Sequence, residues 1–173
     1  SWSQGLDMIK YISAKEGGEA KLKGKKIVHL YHDSAYGKEP IPVFEAYAKK
    51  LGYELTSIAV PHPGNEQQSQ WLQIRQIKPD YVILWGWGVM NPTALKAAAN
   101  VGFPPTNMIG VWWAGSEEDV IPAGDAAKGY TTAVFNVSGP NLPLVQDIKK
   151  VVYGAGKGNL EDVMRQLWRA SGQ

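Results

Sequence analysis

From Lys25 onward, short β-rich runs alternate with segments whose apolar residues recur at helical spacing, and this alternation constrains the fold more than any other feature. The run 26–31 is rich in β-branched and aromatic residues and ends on the turn formers His32, Asp33 and Ser34. Residues 40–51 place Ile41, Phe44, Ala48 and Leu51 at helical spacing; Pro40 and Pro42 fit only a first turn, and Gly52 stands where a closing glycine belongs. Residues 53–60, 81–85, 107–111 and 130–135 read as four further strands. Between the second and third, Asn65 with Gln68 forms a capping-box pattern for a helix that carries Trp71, Ile74 and Ile77 on one face and stops before Pro79. Between the third and fourth, Asn91-Pro92 caps a helix through Ala99, closed by Gly102.

Helical patterns flank this block at 6–14, 144–152 and 160–168, the last with Leu160, Val163, Met164, Leu167 and Trp168 on one stripe. No internal repeat is visible. Strands alternating with helices require parallel pairing through right-handed crossovers, so the expected fold is α/β: a doubly wound, mostly parallel five-stranded sheet of flavodoxin-like order 2-1-3-4-5. In such sheets ligands bind beyond the carboxyl ends of the strands, near the switch between strands 1 and 3. Here that edge holds residues 33–37, 85–90 and 112–116.

Four of the seven tryptophans fall at this edge, in Trp85-Gly86-Trp87-Gly88 and Trp112-Trp113. Large aromatics beside glycines at strand ends are costly to leave in water and awkward to bury in a turn. They mark the mouth of the sheet as the candidate site.

Composition removes several functions. A net charge of +2 with interspersed signs leaves no basic footprint for nucleic acid, and the cationic stretch 21–26 reads as a solvated approach to a strand. No segment reaches the roughly 18 apolar residues of a membrane helix, so no direct membrane insertion is expected. The absence of cysteine excludes disulfides and thiol chemistry. No basic-then-apolar leader opens the chain, which is read as a mature product, an excised fragment or a cytosolic protein.

Nothing assembles into a catalytic set. Gly86-Trp87-Gly88 lacks the third glycine of a dinucleotide loop, since Asn91 stands there, and its tryptophan would crowd a pyrophosphate. His29 and His32 fall on opposite faces of one strand, which argues against a shared metal, and His62 lies between two prolines in a loop read as solvent-facing. Ser116 has no evident base, and Glu117, Glu118 and Asp119 read as the acidic first turn of a helix. The chain is therefore expected not to be an enzyme and to need no cofactor or metal. A flavin- or nucleotide-binding α/β enzyme is the competing class, which an absorbance scan of the purified chain would reveal.

The segment Lys23-Gly24-Lys25-Lys26-Ile27-Val28-His29-Leu30-Tyr31-His32-Asp33-Ser34-Ala35-Tyr36-Gly37 resembles the opening of the second lobe of type I periplasmic solute-binding proteins, closest to the branched-chain amino-acid receptors of ABC importers. Ile77-Lys78-Pro79-Asp80-Tyr81-Val82-Ile83, Ala97-Ala98-Ala99-Asn100-Val101-Gly102 and Ala123-Gly124-Asp125-Ala126-Ala127-Lys128-Gly129 extend the likeness over residues 22–139. The resemblance implies that 1–173 is a single ligand-binding lobe, with core 22–139 and flanking helices in 1–21 and 140–173. Its first lobe would lie outside this chain, and an ABC-transporter permease would be its partner. It also implies a periplasmic location, or an extracellular lipid-anchored one in a Gram-positive cell.

In amino-acid binders of this family the second lobe holds its ligand with a tyrosine after the first strand, an aromatic after the third and a glutamate after the fourth. Tyr36 and Trp87 match the first two positions, and Trp112 stands at the third. An indole cannot pair with an α-ammonium group, and a cation left unpaired in a closing cleft costs several kcal/mol. The resemblance therefore implies a small aromatic or hydrophobic acid, with its carboxylate held mainly by the other lobe. A quaternary ammonium compound in an aromatic cage is the alternative ligand, and a sensory receptor lobe the alternative role. The candidate ligand-binding residues are Tyr36, Trp87, Trp112, Ser34, Gly86 and Trp113; Trp85 and Trp113 are also read as packing residues, and Asp33 and Ser34 as satisfying their own turn.

Overall fold

The computed structural model describes residues 2–135 and 141–152. The chain divides into two compact units, 1–135 and 136–173. The first contains α1 (Trp2–Glu16), β1 (Lys26–His32), α2 (Ala35–Lys38), α3 (Ile41–Leu51), β2 (Glu54–Val60), α4 (Gln68–Ile77), β3 (Tyr81–Trp85), α5 (Met90–Asn100), β4 (Met108–Gly110), α6 (Glu117–Val120) and β5 (Thr131–Thr132). In the second, α7 spans Pro143–Val152. The expected helix at 160–168 and its Trp168 lie outside the described residues.

The five strands form one sheet, parallel as the alternation requires and in the expected order β2-β1-β3-β4-β5. β3 is buried along its whole length, the pattern of a central parallel strand covered on both faces. Alternate residues of β1 and β3 face α1 and α3: His29 and Trp85 pack edge-on against Phe44, and the Tyr81 hydroxyl donates to Glu16 at 2.6 Å. Trp71 is buried on α4 and meets Phe103, so its reading as a core residue holds. Each large apolar side chain buried in this way contributes about 1.5–3 kcal/mol.

Two expected helix caps are not formed. α4 begins at Gln68 with no side-chain cap, and Asn65 is exposed outside it. Gln67 turns inward instead, where its Nε2 donates to the oxygens of Gly64 (2.7 Å) and Met90 (2.8 Å) while its Oε1 accepts from Trp71 Nε1 (3.1 Å). A satisfied buried network outweighs one exposed cap. α5 likewise opens at Met90, one residue before the expected cap, because the Asn91 side chain is committed elsewhere. The fifth strand shrinks from 130–135 to Thr131–Thr132: among the described residues it pairs only with Ile109 and Gly110, and Val134 and Phe135 are exposed.

Candidate ligand-binding site

β1, β3 and β4 each deliver an aromatic residue to the carboxyl edge of the sheet. Beyond β1, the Ser34 hydroxyl caps α2 by accepting from the Gly37 amide at 3.3 Å. This short turn folds back on its own strand so closely that a Cβ on Gly37 would collide with the His32 carbonyl, which explains the glycine after Tyr36. Tyr36 is thereby set at a ring-centre distance of 4.8 Å from Trp113 and 6.1 Å from Trp85. Beyond β3, Trp87 sits on an exposed turn and is 45% accessible, whereas Trp85 is fully buried. Beyond β4, Trp112 and Trp113 occupy a 3-10 turn, Trp112–Ala114.

Trp113 is the hub of this surface. Its ring centre lies 4.8 Å from Tyr36, 6.3 Å from Trp87 and 4.6 Å from Trp112, all in tilted contacts of the kind that stabilise by about 0.5–1.5 kcal/mol each. Trp112 is flanked on its other side by Phe135 at 5.4 Å. Tyr36, Trp87 and Trp113 thus form a continuous floor, with Trp112 as its outer flank. Among the expected contacts, Gly86 is buried, and a Cβ there would come within 2.6 Å of Asn91 Oδ1. It makes room for Asn91, whose Nδ2 donates to the Trp113 carbonyl at 2.9 Å and to Asp119 Oδ2 at 3.2 Å. Ser34 is occupied by its cap, and Asp33 by an ion pair with Lys38 at 2.7 Å.

The electrostatics of the floor are those of burial. The Tyr36 hydroxyl is buried without a partner, and its pKa is pushed well above the usual tyrosine value, first by burial and then by Glu39. Only the ring of Tyr36 is therefore offered to a ligand. The Asp119 carboxylate, capped by the Ser116 hydroxyl at 2.8 Å and by Asn91, has its pKa raised by burial against the lowering effect of those two bonds. It turns toward the turn it braces.

One pair escaped the sequence reading. His32 Nε2 and His62 Nδ1 meet at 3.2 Å, with ring centres 5.5 and 6.3 Å from Trp87 respectively. His62 is exposed, as expected, but not isolated. The signal was available in the topology: parallel β1 and β2 deliver their following loops to the same edge. His29, on the opposite face of β1, is wholly buried among Tyr31, Phe44 and Trp85. Among the described residues no group of three metal-ligating side chains occurs.

The described residues also line two grooves away from this floor. One of about 1020 Å³ lies between α4, α5 and the loop after β2, reaching from His62 to Arg75 and Val101. The other, about 320 Å³, lies near Pro79 and Phe103. Neither includes Tyr36, Trp87 or Trp113. The strand-end position and the aromatic contacts outweigh groove volume in locating the site.

Five parallel strands in this order, with an aromatic floor at their carboxyl ends, make a doubly wound α/β lobe with a candidate ligand-binding edge. The periplasmic binding protein family matches residues 1–165, and the chain belongs to that family. Its fold is that of a single lobe of the type I members, which are extracytoplasmic. A structure from the Pseudomonas fluorescens group, described as an ABC transporter permease, is 47% identical with a TM-score of 0.83, covering 90% of this chain and 38% of its own. A branched-chain amino-acid ABC transporter structure from Thermus thermophilus with bound valine is 21% identical (TM-score 0.71), covering 92% of this chain and 41% of its own. A solute-binding protein of an R. palustris ABC transporter, in complex with benzoate, is 25% identical (TM-score 0.64), covering 88% and 40%. The chain thus spans about two-fifths of the length of these structures. No curated protein matches it.

Proposed function

We propose that this chain is the second lobe of an ABC-importer receptor that closes on a small aromatic or hydrophobic acid and performs no chemistry on it. The observation that carries this reading is the floor of Tyr36, Trp87 and Trp113, partly exposed at the carboxyl edge of the sheet. An open floor suits one wall of a two-walled site, where closure buries the second ligand face. A flat apolar ring gains stacking and area burial on such a floor. At the turn after β4, where amino-acid receptors keep a glutamate for the ammonium group, this chain has indoles. The benzoate complex among the related structures supports the same ligand class. Residues 1–173 then act as one lobe, the first lobe and a permease being its partners, and the periplasm, or the outer surface of a Gram-positive cell, its compartment.

The test is a thermal-shift and tryptophan-quenching screen on the two-lobed receptor with benzoate, leucine, valine and choline. Benzoate is expected to raise the melting temperature and quench the indoles, with little response to leucine or valine. Tight leucine binding without benzoate binding would overturn the reading. Choline binding alone would favour the quaternary ammonium alternative, which the same indoles would support through cation–π attraction. Loss of labelled-benzoate uptake on deleting the receptor separates transport from sensing.

A further inference from the structure

The two histidines beside Trp87 form a wired pair. His32 closes β1 and is only 3% accessible, while His62 stands exposed in the loop after β2. Their rings are nearly perpendicular (78°), with centres 5.4 Å apart and facing nitrogens 3.2 Å apart. At those two distances the nitrogens lie almost on the line between the ring centres. That is the geometry of an N–H···N hydrogen bond, not of two lone pairs converging on a metal to one side.

The direction of this bond follows from burial. His32 is held neutral, its pKa lowered by burial first and then by His62, against the raising effect of Asp33. A neutral imidazole has one N–H, and His32 Nδ1 is buried with no partner. A buried N–H without an acceptor is costlier and rarer than an unshared lone pair. The proton of His32 therefore sits on Nε2 and is donated to His62 Nδ1. His62, accepting through Nδ1, must carry its own proton on Nε2, at the exposed side of its ring.

The result is a fixed donor at the rim of the aromatic floor. The His62 ring lies 6.3 Å from Trp87, at 34° to the indole, and also lines the groove between α4 and α5, so a flat ligand on Trp87 has the imidazole within about one ring's width. Among the described residues no carboxylate is bonded to that donor: Asp33 is ion-paired with Lys38, and Glu66, which lines the same groove as His62, makes no hydrogen bond or ion pair with it.

Resting on the aromatic-acid reading, we propose that His62, with its tautomer set by His32, anchors the ligand's carboxylate in this lobe and selects aromatic acids over neutral aromatics of the same shape. The other lobe is then not the sole holder of the anion, and the acid lies with its carboxylate toward β2 and its ring toward Trp113.

Two measurements test this. In the 173-residue chain, long-range proton–nitrogen correlation spectra at neutral pH should show His62 protonated on Nε2 and His32 bare at Nδ1; the opposite tautomers would overturn the proposal without any ligand present. In the two-lobed receptor, dissociation constants for benzoate and benzyl alcohol should differ by at least about tenfold in favour of the acid, the range expected for one hydrogen bond to a charged group. His62→Phe, which keeps a ring beside Trp87 but no donor, should reduce that preference by about tenfold, and His62→Gln should restore part of it. Trp87→Ala should weaken both ligands alike. An undiminished preference for benzoate in His62→Phe would overturn the role of His62 and leave the aromatic-acid reading standing. Failure of the unaltered receptor to bind benzoate would remove that reading and this proposal together.

Discussion

Asn91 and Trp113 are joined across the carboxyl edge of the sheet by a 2.9 Å hydrogen bond from the buried side-chain amide to the main-chain oxygen. Through it, the first turn of α5 fixes the position of the tryptophan that links Tyr36, Trp87 and Trp112. The same amide holds Asp119, so one side chain braces the whole turn after β4.

Asn91→Leu should therefore destabilise the chain by about 2–3 kcal/mol, because it strands the Trp113 carbonyl and removes a donor from a partly buried carboxylate. Asn91→Asp should be worse, since it sets a carboxylate against that carbonyl and against Asp119. Urea denaturation followed by fluorescence measures both, and benzoate affinity of the receptor should fall with the lost position of Trp113. Equal stability of Asn91→Leu and the unaltered chain would mean that the turn holds itself.

Gln67 does the corresponding work for the loop that carries His62. Its side chain serves Gly64, Met90 and Trp71 at once, so Gln67→Ala leaves three buried polar groups without partners and should cost about 2–4 kcal/mol. Hydrogen exchange of residues 61–67 should accelerate more than that of β3. A uniform change across the chain would show that Gln67 contributes to global stability alone.

His29 makes the chain acid-sensitive. Burial lowers its pKa to about 3, while an unfolded histidine titrates near 6.5. Between those values the unfolded state binds a proton that the folded state refuses, so stability falls as pH drops, by about 1.4 kcal/mol per pH unit from this group. His29→Leu should flatten the dependence between pH 6.5 and 4, with stability at pH 7 equal or higher because two unpaired ring nitrogens no longer need burial. Denaturation at several pH values compares the two slopes, and identical slopes would remove His29 as the cause.

Tyr36 is expected to act through its ring. Its hydroxyl is buried without a partner, so Tyr36→Phe should hold or raise stability by up to about 1 kcal/mol and leave benzoate affinity unchanged. Tyr36→Ala should lose both stability and affinity. A tenfold loss of affinity in Tyr36→Phe would show that the hydroxyl reaches the ligand.

Much of this was legible in the residues. Parallel pairing followed from alternation and handedness, the order 2-1-3-4-5 from its being the commonest for five strands, and the placement of Tyr36, Trp87, Trp112 and Trp113 at one edge from the carboxyl ends of those strands. The burial of Trp71 followed from helical spacing. The caps at Asn65 and Asn91 were misread because a local pattern is silent about distant partners: Gln67 and Asn91 are each drawn inward by buried groups far along the chain. The length of β5 was misjudged because a β-rich run does not reveal that, among the described residues, it pairs with β4 alone.

The sequence by itself thus determined the architecture and the edge that carries the aromatic floor, since periodicity and chirality act over short stretches and leave few topologies. Only the tertiary structure decided which indole is the hub, that the Tyr36 hydroxyl turns inward, and that His32 and His62 meet beside Trp87. Those outcomes depend on the directions of side chains from separate strands. Such directions are set by packing and by the cost of burying an unpaired polar group, quantities that exist only once the sheet has formed.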